Sequence, residues 1–280
     1  MRNLLTRTLT GILFLVVIIG SFFLPHPVFC LLFTAFAVIG MYEYIAMMRK
    51  NGYKIAWFLP ILITLLLCSA AFCVHISNVY VLLAFPLMML ALVALFLIPI
   101  VELYRKQKKP IINIASTIWA LIWIAVPFTI VIIWQGYDSG VVLAMFIIIW
   151  IYDTLAYCAG SLFGKHRLFE RISPKKSWEG FLISLCLTSS LSVLFYYISY
   201  FQTYTFTTIW HWIGFAVVII LSATFGDLVE SLFKRSCQVK DSGHILPGHG
   251  GILDRFDSLL FAAPMGVVYY LFFDYLLSFF

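Results

Sequence analysis

The chain has 280 residues, of which 63% are apolar or aromatic and only 11% carry a charged side chain. Soluble domains are about one-quarter charged, and a soluble fold of this length could not hide so much Leu, Ile, Val and Phe, so hydrocarbon is the expected solvent. The net charge of +6 is spread over many short segments instead of one basic domain, which argues against nucleic acid as a partner.

In chain order, residues 2–24 have the outline of a signal peptide, with Arg2 and Arg7 ahead of an apolar run from Leu9. That run ends in Ser-Phe-Phe-Leu-Pro-His-Pro without a small-x-small cleavage pattern, so it reads as a retained first helix. Stretches able to cross ~30 Å of hydrocarbon fall at 8–24, 28–48, 56–74, 79–101, 112–133, 140–158, 180–200, 209–229 and 258–280. The expected fold is all-α, a polytopic transmembrane helical bundle of about nine spans. Residues 1–139 supply five N-terminal spans, and 140–280 form a C-terminal catalytic region with cytoplasmic loops at 159–179 and 230–257. Pro60, Pro86, Pro127 and Pro264 fall inside spans, where neighbouring helices can satisfy freed backbone groups.

Orientation follows from Lys and Arg. With the N-terminus in the cytoplasm, all 18 fall at that terminus or in the second-to-third, fourth-to-fifth, sixth-to-seventh and eighth-to-ninth connections. The C-terminus then lies on the opposite side. The expected location is the inner cell membrane, with any active site facing the cytoplasm. Six cysteines show no C-x-x-C pair and read as small apolar residues.

This orientation puts Glu43, Asp153, Asp227 and Glu230 near the cytoplasmic ends of helices, with Asp254 and Asp257 at the start of the last span. Carboxylates at one membrane depth beside Lys- and Arg-rich loops are the usual equipment for phosphoryl or nucleotidyl transfer, holding Mg²⁺ and phosphates respectively. Each has a blander reading as well. Glu43, in Tyr-Glu-Tyr, is either a solvated helix end or part of a site. Asp254 and Asp257 can simply complement a helix dipole. Asp138 and Asp274 fall on the opposite side and read as surface charges. Asp227, Ser231 and Lys234 are spaced i, i+4, i+7 along one helical stripe, provided the helix continues beyond the membrane.

Two polar segments adjoin these acids. The first contains Ser173, Lys175, Lys176 and Ser177, close enough together to grip a triphosphate or a lipid phosphate, although the lysines also serve as topological charges. Gly160 to Lys165 resembles a P-loop superficially but has the wrong spacing, and His166 stands where Ser or Thr would hold Mg²⁺. The second runs from Lys240 through Gly248, His249, Gly250 and Gly251 to Arg255. Its glycines would let backbone N–H groups approach an anion, and His249 could donate to a phosphate.

The run from Ser231 to Asp257 fits S-x-φ-K-R-x4-K-D-x-G-x2-φ-P-x-H-G-G-φ-x-D-R-φ-D at every position, φ being apolar. It resembles the signature of the phosphatidate cytidylyltransferase family. Phe225-Gly-Asp227, Asp153-Thr-x-Ala-Tyr157 and Ser173-Pro-Lys-Lys-Ser-Trp-Glu-Gly180 are also similar to family segments, so the specific likeness covers 150–258. The resemblance implies attack of the phosphatidate phosphate on the α-phosphorus of CTP, with release of pyrophosphate. It implies Mg²⁺ on Asp227 and Asp254 with Asp257 close by, and Asp153 as a further candidate ligand. Phosphate contacts would come from Ser231, Lys234, Arg235, Lys175 and Lys176. A second, monovalent cation such as K⁺ and a homodimer are implied too. An enzyme using another lipid acceptor would have the same headgroup chemistry. A cation channel or transporter would be expected to show repeat symmetry and polar midplane residues, and neither is seen in the sequence.

Overall fold

The computed structural model describes the backbone of residues 2–76, 78–243, 245 and 250–277, and the side chains of 10–75, 81–243, 245 and 250–275. Its helices are α1 (Arg2–Phe22), α2 (His26–Lys50), α3 (Phe58–Ile76), α4 (Asn78–Arg105), α5 (Pro110–Ala120), α6 (Val126–Tyr137), α7 (Ser139–Phe163), α8 (Trp178–Leu191), α9 (Leu194–Tyr197), α10 (Ile209–Ser236) and α11 (Leu253–Leu277). Among the described residues, eight helical stretches are long and apolar enough to cross a membrane, and Thr10–Phe22 is a shorter apolar helix. The chain is an integral membrane protein of polytopic helical type.

Helices α5 and α6 form one stretch, Pro110–Tyr137, joined by a π-helical turn at Leu121–Ala125. Pro127 follows two residues later. It cannot donate a backbone hydrogen bond and its ring crowds the preceding turn, which accounts for the widened turn just ahead of it.

The all-α expectation needs one correction. In the polar connection after α7, β1 (Arg167–Phe169) pairs antiparallel with β2 (Ser173–Ser177), placing Arg167 opposite Ser177 and Phe169 opposite Ser173. This segment is too polar to enter hydrocarbon and too short for another helix pair, and strand pairing satisfies its backbone groups locally.

The chain divides into two compact units, one of residues 1–137 and 236–256, the other of 138–235 and 257–280. Residues 236–256 group with the N-terminal helices. In the first unit, Phe256 is 1% exposed and packs against Phe14, Phe36 and Phe128 at centroid distances of 5.6, 5.1 and 5.2 Å. The apolar position of Asp-Arg-Phe-Asp thus anchors the start of α11 in an aromatic core built from α1, α2 and α6. Buried Glu102 binds Arg105 at 2.7 Å and the Asn113 amide at 2.5 Å, linking α4 to α5.

In the second unit, α7 and α8 cross at glycines. A Cβ at Gly180 would lie 2.9 Å from both the Ala156 carbonyl oxygen and Gly160 Cα, so only a small residue permits the approach. Tyr152 shares a 2.7 Å hydrogen bond with Thr224, tying α7 to α10. Asp138 and Asp274, expected as surface charges, have structural partners. Asp138 caps α7 by accepting from the Val141 N–H at 3.0 Å, and Asp274 accepts from the Thr205 hydroxyl at 3.2 Å.

Candidate active site

The second unit gathers the first set of candidate residues. Helix α10 continues to Ser236, so the stripe Asp227, Ser231, Lys234 exists as a helical face. The Ser231 hydroxyl donates to Asp227 Oδ1 at 3.2 Å, and Lys176 Nζ from β2 lies 2.6 Å from Asp227 Oδ2. Gly226 allows this geometry. A Cβ there would press on the carbonyl of Asp257 and come within 3.3 Å of Ser258 Cα, so α10 and α11 touch one residue away from Asp227. Half-buried Asp257 lies in the electrostatic field of Asp227, Lys234 and Lys176, and its Oδ1 accepts from the Ser258 N–H at 2.7 Å. Lys234 pairs at 3.1 Å with Glu230, whose side chain is fully buried.

The rest of the hairpin divides. Lys175 is exposed and Ser173 partly buried. Ser177 is 4% exposed and caps α8, its Oγ accepting from the Gly180 N–H at 3.2 Å. Its hydroxyl is thus engaged in the helix cap instead of being presented to a phosphate. At the hairpin base, Glu179 accepts from the backbone N–H groups of Lys165 and His166 at 3.0 and 3.2 Å and lies 2.6 Å from His166 Nδ1. Asp153 and Arg235 are exposed on α7 and at the end of α10.

The first unit holds the glycine-rich segment. Asp254 Oδ2 accepts three hydrogen bonds, from the Ser242 N–H (2.8 Å), the Ser242 hydroxyl (2.9 Å) and the Gly251 N–H (2.8 Å). Gly251 thus directs its N–H to the chain's own Asp254, three residues further on. Gly250 has φ +83°, and a Cβ there would overlap Asp254. Lys240 and Arg255 are exposed. His249 lies outside the described residues.

Glu43, left open between helix end and site, is 3% exposed. It accepts from the N–H groups of Ile252 and Leu253 at 3.1 and 2.9 Å, and the Ser242 hydroxyl, whose one proton it shares with Asp254, lies 3.3 Å from its Oε2. Sequence reasoning gave Glu43 no partner and gave Ser242 no role. The available signal was a carboxylate within an apolar helix, which needs donors wherever it is buried.

Mg²⁺ prefers hard oxygen ligands and usually takes one or two protein carboxylates, with substrate phosphate and water completing the octahedron. Among the described residues, no three His, Cys, Asp or Glu side chains gather at metal-ligand spacing. The Asp227–Asp257 pair, beside two lysines that could meet phosphate, fits the sparser Mg²⁺ requirement.

A sequence model of the cytidylyltransferase family matches residues 5–273, nearly the whole chain. The chain belongs to this family. Similar proteins include the phosphatidate cytidylyltransferase of Staphylococcus aureus (strain COL), 45% identical over 124 residues that span 44% of this chain and 46% of the relative. Those of Rickettsia typhi and Staphylococcus saprophyticus are each 38% identical, over 51% and 57% of this chain and 64% and 60% of their own lengths. The chain thus matches about half to just under two-thirds of the length of these relatives.

Proposed function

We propose that this protein transfers the cytidylyl group of CTP to phosphatidate, giving CDP-diacylglycerol and pyrophosphate for phospholipid synthesis. The observation that carries the reading is the unbroken Ser231–Asp257 signature, preceded on the same helix by Asp227, which lies beside the Lys176 ammonium. Family membership and the names of the relatives support it.

The chemistry asks little of a general base. A phosphate monoester has a second pKa near ~6 and is largely dianionic at neutral pH. One of its oxygens forms a bond to the α-phosphorus of CTP. The bond from that phosphorus to the oxygen bridging to the β-phosphorus breaks, and its electron pair leaves on pyrophosphate. Repulsion between two polyanions is the main obstacle. Lys175, Lys176, Lys234, Arg235, Lys240 and Arg255, with the hydroxyls of Ser173 and Ser231, His249 and the Gly250 backbone, are assigned to phosphate. Asp227, Asp254 and Asp257 are assigned to Mg²⁺, with Asp153 a secondary candidate. When bound, Mg²⁺ would neutralise phosphate charge and, by polarising a phosphoryl oxygen, make the α-phosphorus more open to attack. A second site for a monovalent cation such as K⁺, a homodimer, nine spans with a cytoplasmic N-terminus, and a site on the cytoplasmic face of the inner membrane belong to the same reading. They let the lipid tails stay in the bilayer while CTP arrives from water.

The test is incorporation of labelled CTP into lipid by purified protein in phosphatidate-containing nanodiscs, with and without Mg²⁺. Mg²⁺-dependent labelling of lipid is expected. Absence of lipid label, or labelling that survives combined Asp227→Ala and Asp254→Ala, would sink the reading.

A further inference from the structure

The first residue of α11 is Leu253, and the residue before it, Ile252, has no side-chain oxygen with which to cap the helix. The cap comes instead from α2. Glu43 Oε1 accepts from the Ile252 N–H and Oε2 from the Leu253 N–H, placing a carboxylate at the positive end of α11. Gly243 and Gly251 enclose the same carboxylate so closely that a Cβ on either would overlap it. The other end of the segment is held by the same helix region, since the Asn51 amide donates to the carbonyl of Cys237 at 3.0 Å. Cys237 and the Ile252–Leu253 step are therefore both held by the last turns of α2 and its C-cap.

Capping alone does not require this arrangement. A Ser or Asn just before Leu253 would serve as a local cap without burying a charge. Glu43 is instead buried close to a second carboxylate, with the Ser242 hydroxyl within 3.3 Å of Glu43 Oε2 and 2.9 Å of Asp254 Oδ2. Such a pairing of like charges is costly, and the converging N–H groups and the Ser242 hydroxyl offset it. The arrangement fixes which way Asp254 faces.

We infer that Glu43 is a positioning residue for the transfer reaction, orienting Asp254 through Ser242 and the first turn of α11. The inference rests on the proposed role of Asp254 in holding Mg²⁺. It also gives the N-terminal helices, which match the signature nowhere, a part in the chemistry.

The experiment compares wild type, Glu43→Gln and Glu43→Asp, all full-length in nanodiscs. Amide hydrogen exchange is measured at 251–253 without metal, and the Mg²⁺ concentration giving half-maximal CTP turnover is measured separately. Glu43→Gln keeps the shape but turns one acceptor towards a backbone donor as an NH₂ group. Exchange at 251–253 should accelerate at least about tenfold, the equivalent of one charge-assisted hydrogen bond. Half-maximal Mg²⁺ should rise by about the same factor while the KM for phosphatidate stays within about twofold. Glu43→Asp, which keeps the charge on a shorter arm, should fall between and stands in if the Gln variant does not accumulate. Unchanged exchange overturns the inference. So does faster exchange with an unchanged Mg²⁺ requirement, because Glu43 would then be scaffold alone. A wild-type protein that turns over no CTP defeats the proposed function instead, while the exchange measurement still judges the grip on the segment.

Discussion

The glycine-rich segment of the first unit and the hairpin–α10 cluster of the second use acidic residues in opposite ways. In the segment, Glu43 and Asp254 accept from the backbone N–H groups of Ser242, Gly251, Ile252 and Leu253, so their charge holds the chain in shape. In the cluster, Asp227 and Glu230 face the ammonium groups of Lys176 and Lys234, and the charge is matched by side-chain cations. A carboxylate committed to several backbone donors has a fixed orientation. Asp227, paired with a lysine and about one-quarter exposed, can exchange that partner for another cation at modest cost, because partly exposed ion pairs contribute only about 0–1 kcal/mol. The first arrangement suits placement and the second suits exchange of ions and phosphates.

The largest expected effect tests the second arrangement. Asp227→Ala should lower CTP turnover by at least about 10²-fold, the scale on which loss of a key electrostatic group is felt. Thermal stability in detergent should shift by less than about 1 kcal/mol, since the Lys176–Asp227 pair is about one-quarter exposed on both sides. A large loss of stability would show that Asp227 is a structural acid like Glu43, and the contrast between the two regions would fail.

Gly251→Ala tests the first arrangement. Its Cβ would overlap Glu43 Oε2 and the Ser242 hydroxyl, and both are held by other bonds, so neither can give way freely. Overpacking of this kind costs about 1–3 kcal/mol. Stability and turnover should fall together, unlike the separation expected for Asp227. Unfolding midpoints and turnover measured on the same preparations decide it. Normal stability would mean that the segment relaxes and is not held as tightly as its hydrogen bonds imply.

Legibility of the sequence follows the same division. Span positions could be read because hydrocarbon demands long apolar runs, and α2 to α7 fall within a few residues of the stretches expected. The Asp227–Ser231–Lys234 stripe could be read because helical spacing fixes which side chains share a face. The Glu43 partnership could not, since Ile252 and Leu253 contribute backbone N–H groups that leave no trace in side-chain identity, about 210 positions along the chain. The hairpin was hidden for a related reason. Ser173 to Ser177 contains a proline and two lysines and shows no apolar alternation, and only pairing with Arg167–Phe169 makes it a strand.

The smallest expected effect separates two neighbours. Ser177 and Lys176 adjoin in β2, and the sequence offers both as phosphate ligands, yet Ser177 is buried beneath the hairpin while Lys176 reaches Asp227. The Ser177 hydroxyl caps α8 and lies against the end of α7, where a Cβ on Gly164 would come within 2.7 Å of it. Ser177→Ala should therefore cost about 0.5–2 kcal/mol, the usual range for a lost cap, and leave the KM for CTP within about twofold. Lys176→Gln should do the reverse, raising that KM about tenfold with stability nearly unchanged. Steady-state kinetics and unfolding midpoints of the two variants check both halves. If Ser177→Ala raised the KM as much as Lys176→Gln does, the hydroxyl would have to leave its cap to meet CTP, and the hairpin would be a moving part instead of the fixed platform that its anchoring on Gly160, Gly164 and Gly180 implies.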